Sequence, residues 1–98
     1  MTTIEQDTIY QYLDGWDLLA ATLMERRQLL RELEQLAKAP QESPNTVTVA
    51  EFPVISAQAL LYELSKIGEN IDTLIGEINS YALRCGKPLV QVTQTKQQ

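Results

Sequence analysis

Eight residues in the second half of the chain stand on an unbroken alternation of four- and three-residue steps: Leu60, Leu64, Ile67, Ile71, Leu74, Ile78, Tyr81 and Cys85. The mean step of about 3.5 residues keeps all of them on one narrow stripe of a helix. A strand repeats every two residues and cannot hold that phase, so the chain is bound to helices that meet other helices. The first half repeats the spacing with Tyr12, Trp16, Leu19, Leu23, Arg26, Leu30, Leu33 and Ala37, broken only by Arg26. The expected fold is all-α: a long antiparallel helical hairpin with helices over about 3–38 and 56–85.

Punctuation along the chain supports those limits. Thr2 and Glu5 have the spacing of a capping box at the start of helix 1. Lys38 suits the negative end of that helix, and Pro40 stops it. Gly15 is a soft spot that weakens a helix interior by about 1 kcal/mol relative to alanine. Asp14-Gly15 therefore competes as a turn, but the apolar phase from Tyr12 to Trp16 runs straight through it. Ser56 is expected to cap helix 2. Gly86, followed by Pro88, closes it through a left-handed residue and a helix-incompatible one.

The hairpin domain thus spans 1–88, with a linker at 40–55 and a tail at 89–98. Three prolines mark the linker. Within it Thr46-Val47-Thr48-Val49 alternates as a strand does, and so does Leu89-Val90-Gln91-Val92-Thr93 in the tail. Neither segment has enough partners inside one hairpin to build a sheet. They are expected to pair between subunits of an antiparallel dimer, to add onto a partner's sheet edge, or to stay mobile. Charge favours the antiparallel arrangement: residues 1–25 carry five acids and no base, while the end of helix 2 and the tail carry Arg84, Lys87 and Lys96.

Size and charge narrow the function. A chain of 98 residues is one small domain with little capacity to bury a core alone. Its apolar residues spread beyond the two seams to Ile9, Leu13, Leu18, Leu29 and Leu36 in helix 1, and to Leu61, Ile75 and Ala82 in helix 2. A stripe that wide belongs to a bundle, so the hairpin is expected to dimerise into four helices. Eight basic residues face thirteen acidic ones, a net charge of −5, which disfavours a nucleic-acid partner. The one basic cluster, Arg26, Arg27 and Arg31, is interleaved with Glu25, Glu32 and Glu34.

The start has neither a basic n-region nor an apolar h-region, so no signal peptide is expected. No apolar run approaches the length of a membrane span. A lone cysteine fits a reducing compartment, and cytoplasm is the default.

Chemistry is sparse. The chain has no histidine, which removes imidazole acid–base catalysis and most transition-metal sites. Its glycines are isolated and form no phosphate loop. No catalytic residue, no metal ligand set and no cofactor site is expected. Cys85, at a seam position in the last helical turn, reads as a small buried hydrophobe. Arg26 either snorkels to the surface or pairs with an acid to fix helix register. Gly68 and Gly76 thin one side of helix 2, marking either a close helix approach or an exposed face.

The packing residues are Tyr12, Trp16, Leu19, Leu23, Leu30 and Leu33 on helix 1, against Leu60, Leu64, Ile67, Ile71, Leu74 and Ile78 on helix 2. Candidates for binding a partner are the aromatics Tyr10, Tyr12 and Trp16, with Val47, Val49 and Phe52 in the linker and Val90 and Val92 in the tail. These features imply a non-enzymatic interaction protein that regulates or helps assemble a larger protein partner. Two alternatives stay open: a small obligate subunit of a complex, or a transcription- or RNA-linked regulator using the Arg26–Arg31 cluster.

Overall fold

Two long helices packed side by side make up most of the chain, α1 over Thr3–Leu36 and α2 over Val54–Cys85. The computed structural model describes residues 3–93, with side chains from residue 6 onward. The Thr2/Glu5 capping box and the chain beyond 93 lie outside the described residues and side chains. The order is α1, two short strands β1 (Gln41–Glu42) and β2 (Val47–Thr48), then α2. The helices run antiparallel: Gly15 near the start of α1 lies against Ile78 near the end of α2. The molecule is a rod of 76 × 28 × 22 Å with a radius of gyration of 20.5 Å. A compact chain of this length would have a radius near about 13 Å.

Helix α1 passes through Asp14-Gly15 without a break. It ends at Leu36, two residues short of the sequence expectation, where the Ala37 amide bonds back to the Glu34 carbonyl at 3.2 Å. That three-residue closure tightens the last turn and leaves Lys38 beyond it. Helix α2 begins at Val54, two residues before Ser56, with Pro53 at the capping position and no side-chain cap. Proline is pre-organised for a helix start and lacks the amide that would otherwise be orphaned there. The Ala57 amide reaches the Pro53 carbonyl at 3.0 Å, so the first turn closes without the Ser56 hydroxyl.

At the other end Gly86 adopts φ 71°, the left-handed conformation expected of it. The Gly86 amide bonds to the Ala82 carbonyl, and the Lys87 amide reaches the same oxygen at 3.0 Å. These bonds satisfy a carbonyl the helix end would otherwise expose.

The core is a single cluster of Tyr12, Leu19, Ile67, Ile71, Ile78 and Ala82, flanked by half-buried residues including Leu23, Leu29, Leu74 and Tyr81. It sits toward the end where α1 starts and α2 stops. All eight residues of the α2 stripe are buried or half-buried. On α1 the buried line is rotated by about one position from the expected one. It runs Thr8, Tyr12, Gly15, Leu19, Thr22, Leu29, Leu33 and Leu36, all buried or half-buried. Trp16, Leu30 and Ala37 are exposed. Arg26 falls on both lines and is exposed.

The rotation coincides with the seating of the Ile78 side chain over Gly15. A Cβ placed there would stand 2.8 Å from Ile78 Cγ1. With no side chain at that position, α2 settles over Gly15, and the Trp16 ring is displaced to the flank. Gly68 and Gly76, the small residues of α2, have nothing within 4 Å of a Cβ position and play no part in this approach.

The linker forms its own two-stranded ribbon, correcting the expectation that Val47 and its neighbours lack a partner within one chain. Gln41 pairs with Thr48 and Glu42 with Val47, antiparallel. Ser43-Pro44-Asn45-Thr46 make the turn, in which the Ser43 amide donates to the Thr46 carbonyl at 2.9 Å. The Ser43 and Thr46 hydroxyl oxygens are 2.6 Å apart, within hydrogen-bond distance. Proline at the second turn position fixes the φ the turn requires.

Candidate interaction surface

Two parallel lines of side chains, one residue apart, divide the labour of α1. The line through Tyr12, Gly15, Leu19 and Leu29 faces α2. The adjacent line through Leu13, Trp16, Ala20, Leu23, Arg27 and Leu30 follows the same three- and four-residue steps on the outer flank. Leu13 is 50% exposed, Trp16 38% and Leu30 45%, and Ala20 is also exposed. Leu23 is half-buried and touches the core. Leu13, Trp16, Ala20 and Leu30 leave an exposed apolar strip on this flank, whereas Leu23 packs inward and Arg27 is charged.

The aromatic cluster at this end is split between core and surface. Tyr12 is buried, and its hydroxyl points to the Pro88 carbonyl at 3.4 Å, the long limit of a hydrogen bond. Trp16 stands edge-on to it, with ring centroids 6.4 Å apart and planes at 76°. This T-shaped geometry suits the quadrupoles of the two rings and fixes the indole on the flank. Tyr10 is exposed.

The linker and tail candidates behave differently from one another. Val47, Val49 and Phe52 are all exposed at the far end of the rod. In the tail, Val90 is folded back onto α2 rather than strand-paired. The Asn79 side-chain amide brackets its backbone: Asn79 Oδ1 accepts from the Val90 amide at 2.7 Å, and Asn79 Nδ2 donates to the Val90 carbonyl at 3.1 Å. The Val90 side chain packs against the core, while Val92 is exposed. Asparagine supplies one acceptor and a donor on one planar group, which lets it replace a paired strand.

Three positions at this end have places in the packing that sequence reasoning did not assign: Thr8 and Asn79 were not singled out, and Gly15 was read only as a soft spot. Thr8 is 4% exposed, Gly15 gives room to the Ile78 side chain, and Asn79 clamps the tail. Spacing carried a signal for the first two, since Thr8, Tyr12, Gly15 and Leu19 also follow four- and three-residue steps. Asn79 offered none.

Between the helices an open groove of about 420 Å³ has Leu29 and Ile67 among its lining and Glu25, Gln28, Glu63 and Lys66 around it. Lys66 Nζ lies 5.5 Å from the centre of the Tyr62 ring, an exposed cation–π contact. Among the described residues no three His, Cys, Asp or Glu side chains gather in a way that could hold a metal ion. No helix among them is long and apolar enough to cross a membrane. No buried side-chain polar atom there lacks a hydrogen-bond partner.

No protein-family model, curated protein or solved structure matches the chain. The class is therefore defined by architecture: a two-helix antiparallel hairpin with an apolar line on the outer flank of its first helix.

Proposed function

We propose that this chain is a non-enzymatic interaction protein that binds and regulates, or helps assemble, a larger protein partner through its helical surfaces, and that it works as a homodimer. One observation carries the reading. The chain exposes 8190 Å² of accessible surface, whereas the size scaling of globular monomers gives roughly 5,700 Å² for its mass of 11.1 kDa. The difference, about 2,500 Å² by that scaling, is well above the roughly 800 Å² per partner of a stable interface. Exposed Leu13, Trp16, Leu30, Leu61 and Phe52 supply apolar anchors for such contacts.

The test has two parts. Sedimentation equilibrium of the purified chain at micromolar concentration should give twice the mass of one chain, and a stable monomer would remove the homodimer. Affinity purification from the native host should then recover a larger protein in fixed stoichiometry. Finding the dimer alone, with no such partner, would remove the regulatory role.

A further inference from the structure

We propose that the tail segment Pro88–Val90 is a displaceable strap, and that the site beneath it docks an extended segment of the partner protein in its place. This site rests on the partner-binding reading above and gives that reading a ligand chemistry.

The residue that now fills the site defines what fits it. Asn79 holds Val90 by its main chain alone: Oδ1 accepts from the Val90 amide at 2.7 Å, and Nδ2 donates to the Val90 carbonyl at 3.1 Å. A residue in an antiparallel ladder offers its partner the same pair of bonds, so Asn79 acts as a sheet edge one residue wide. Bonds of this kind select an extended backbone rather than a sequence, as in strand addition. Selectivity comes from the Val90 side chain, which is half-buried against the core cluster. Leu89, Gln91, Val92 and Thr93 are exposed. The ligand is therefore an extended segment with a valine-sized apolar residue at its centre. Proline is excluded there, because it lacks the amide that Asn79 Oδ1 takes.

The strap can leave without loosening the hairpin. Helix α2 is closed before the strap begins, by the Gly86 amide on the Ala82 carbonyl and the Lys87 amide on the same oxygen at 3.0 Å. Gly86 at φ 71° and then Pro88 separate the tail from the helix. The further hydrogen bond to the strap, from Tyr12 Oη to the Pro88 carbonyl, is long at 3.4 Å. A segment held by so few contacts opens locally, ahead of the core. Opening frees both polar atoms of the Asn79 amide. The tethered tail competes at an effective concentration on the order of 1 mM, so a partner segment replaces it once other contacts hold the partner on the rod.

Hydrogen exchange of the parent chain tests the strap. The protection factor of the Val90 amide should be at least about a hundredfold below those of Ile71 and Ile78, and insensitive to low urea. Equal protection with a shared urea dependence would show that the tail opens only when the hairpin unfolds, and would overturn the strap.

A synthetic peptide tests the site. In the full chain carrying Val90→Asp, circular dichroism should still show the helices, while the NMR signals of the Asn79 side-chain amide move to those of a free amide. Val90→Gly, which removes the anchor without adding a charge, should behave alike. The blocked peptide Lys-Pro-Leu-Val-Gln-Val-Thr, with the sequence of residues 87–93, should return those signals toward their parent positions with a Kd on the order of 1 mM. The same peptide with Val90→Asp should leave them where they are. No response in a helical chain at about tenfold that concentration would overturn the site and leave partner binding through other surfaces standing. Partner binding falls on a different result, recovery of no larger protein from the native host.

Discussion

The backbone of Gly15 lies directly under the side chain of Ile78, so close that a Cβ on the glycine would stand 2.8 Å from Ile78 Cγ1. Ile78 is fully buried and β-branched, so it has little freedom to move aside. Two effects compete in Gly15→Ala. Helix propensity favours alanine by about 1 kcal/mol, while overpacking a filled core costs about 1–3 kcal/mol. The expected outcome is a net loss of about 1 kcal/mol, read from the urea midpoint. Ile78→Ala alone should cost about 2–5 kcal/mol, and less than that in the Gly15→Ala background, because the two residues share one space. Strict additivity would show that they do not touch.

The clamp from Asn79 to Val90 predicts the behaviour of the tail. Asn79→Ala leaves the Val90 amide and carbonyl without their partner and should cost about 1–2 kcal/mol. Hydrogen exchange should show the Val90 amide slowed in the parent protein and fast in the variant. Truncation after Pro88 should leave helical circular dichroism nearly intact and lower the melting temperature, because Val90 packs on the core. An unchanged melting temperature would mean the tail contributes nothing to the hairpin.

The centre of the α2 seam admits no charge. Ile71 is buried among the core residues, and an unpaired carboxylate there costs several kcal/mol. Ile71→Asp is expected to abolish the cooperative thermal transition followed by circular dichroism.

The two ends of α2 should respond in opposite ways. Ser56 is exposed and makes no cap, so Ser56→Ala should change stability by less than about 0.5 kcal/mol. Gly86 holds φ 71°, and Gly86→Ala should cost about 1 kcal/mol or more by forcing a side chain into the left-handed region. Denaturant midpoints of both variants measure the contrast.

The sequence and the structure agree best where burial depends on large apolar side chains. The α2 stripe has one at nearly every step, so its phase is unambiguous and Ile67, Ile71 and Ile78 are buried as the spacing requires. On α1 the competing lines start from the same Tyr12 and diverge at Gly15 and Trp16. Hydrophobicity favours the tryptophan, yet α2 takes the glycine because absence of a side chain is what permits contact. Glycine carries no apolar signal, so this choice appears only once a partner helix is present.

The same limit hid Thr8, a polar residue packed inside, and Asn79, whose role depends on a chain segment eleven residues away. In the linker, Val47 and Thr48 looked like a strand, but their partners Gln41 and Glu42 have little strand propensity and are set by the Ser43–Thr46 turn. The outer line of α1 was readable as apolar surplus. Its separation from the inner line was not, because the two differ by a rotation that only Gly15 decides.

The antiparallel hairpin is long in one direction only, 76 Å against 28 and 22 Å. The start of α1 and the Pro88–Val90 segment share one tip, while the Pro44-Asn45 turn and the exposed Val47, Val49 and Phe52 belong to the other. Anything gripped at one tip is thereby kept at a set separation from anything gripped at the other, with a continuous helical body between them to resist bending. In mechanical terms the molecule is a strut, and the distance it imposes is fixed by helix length.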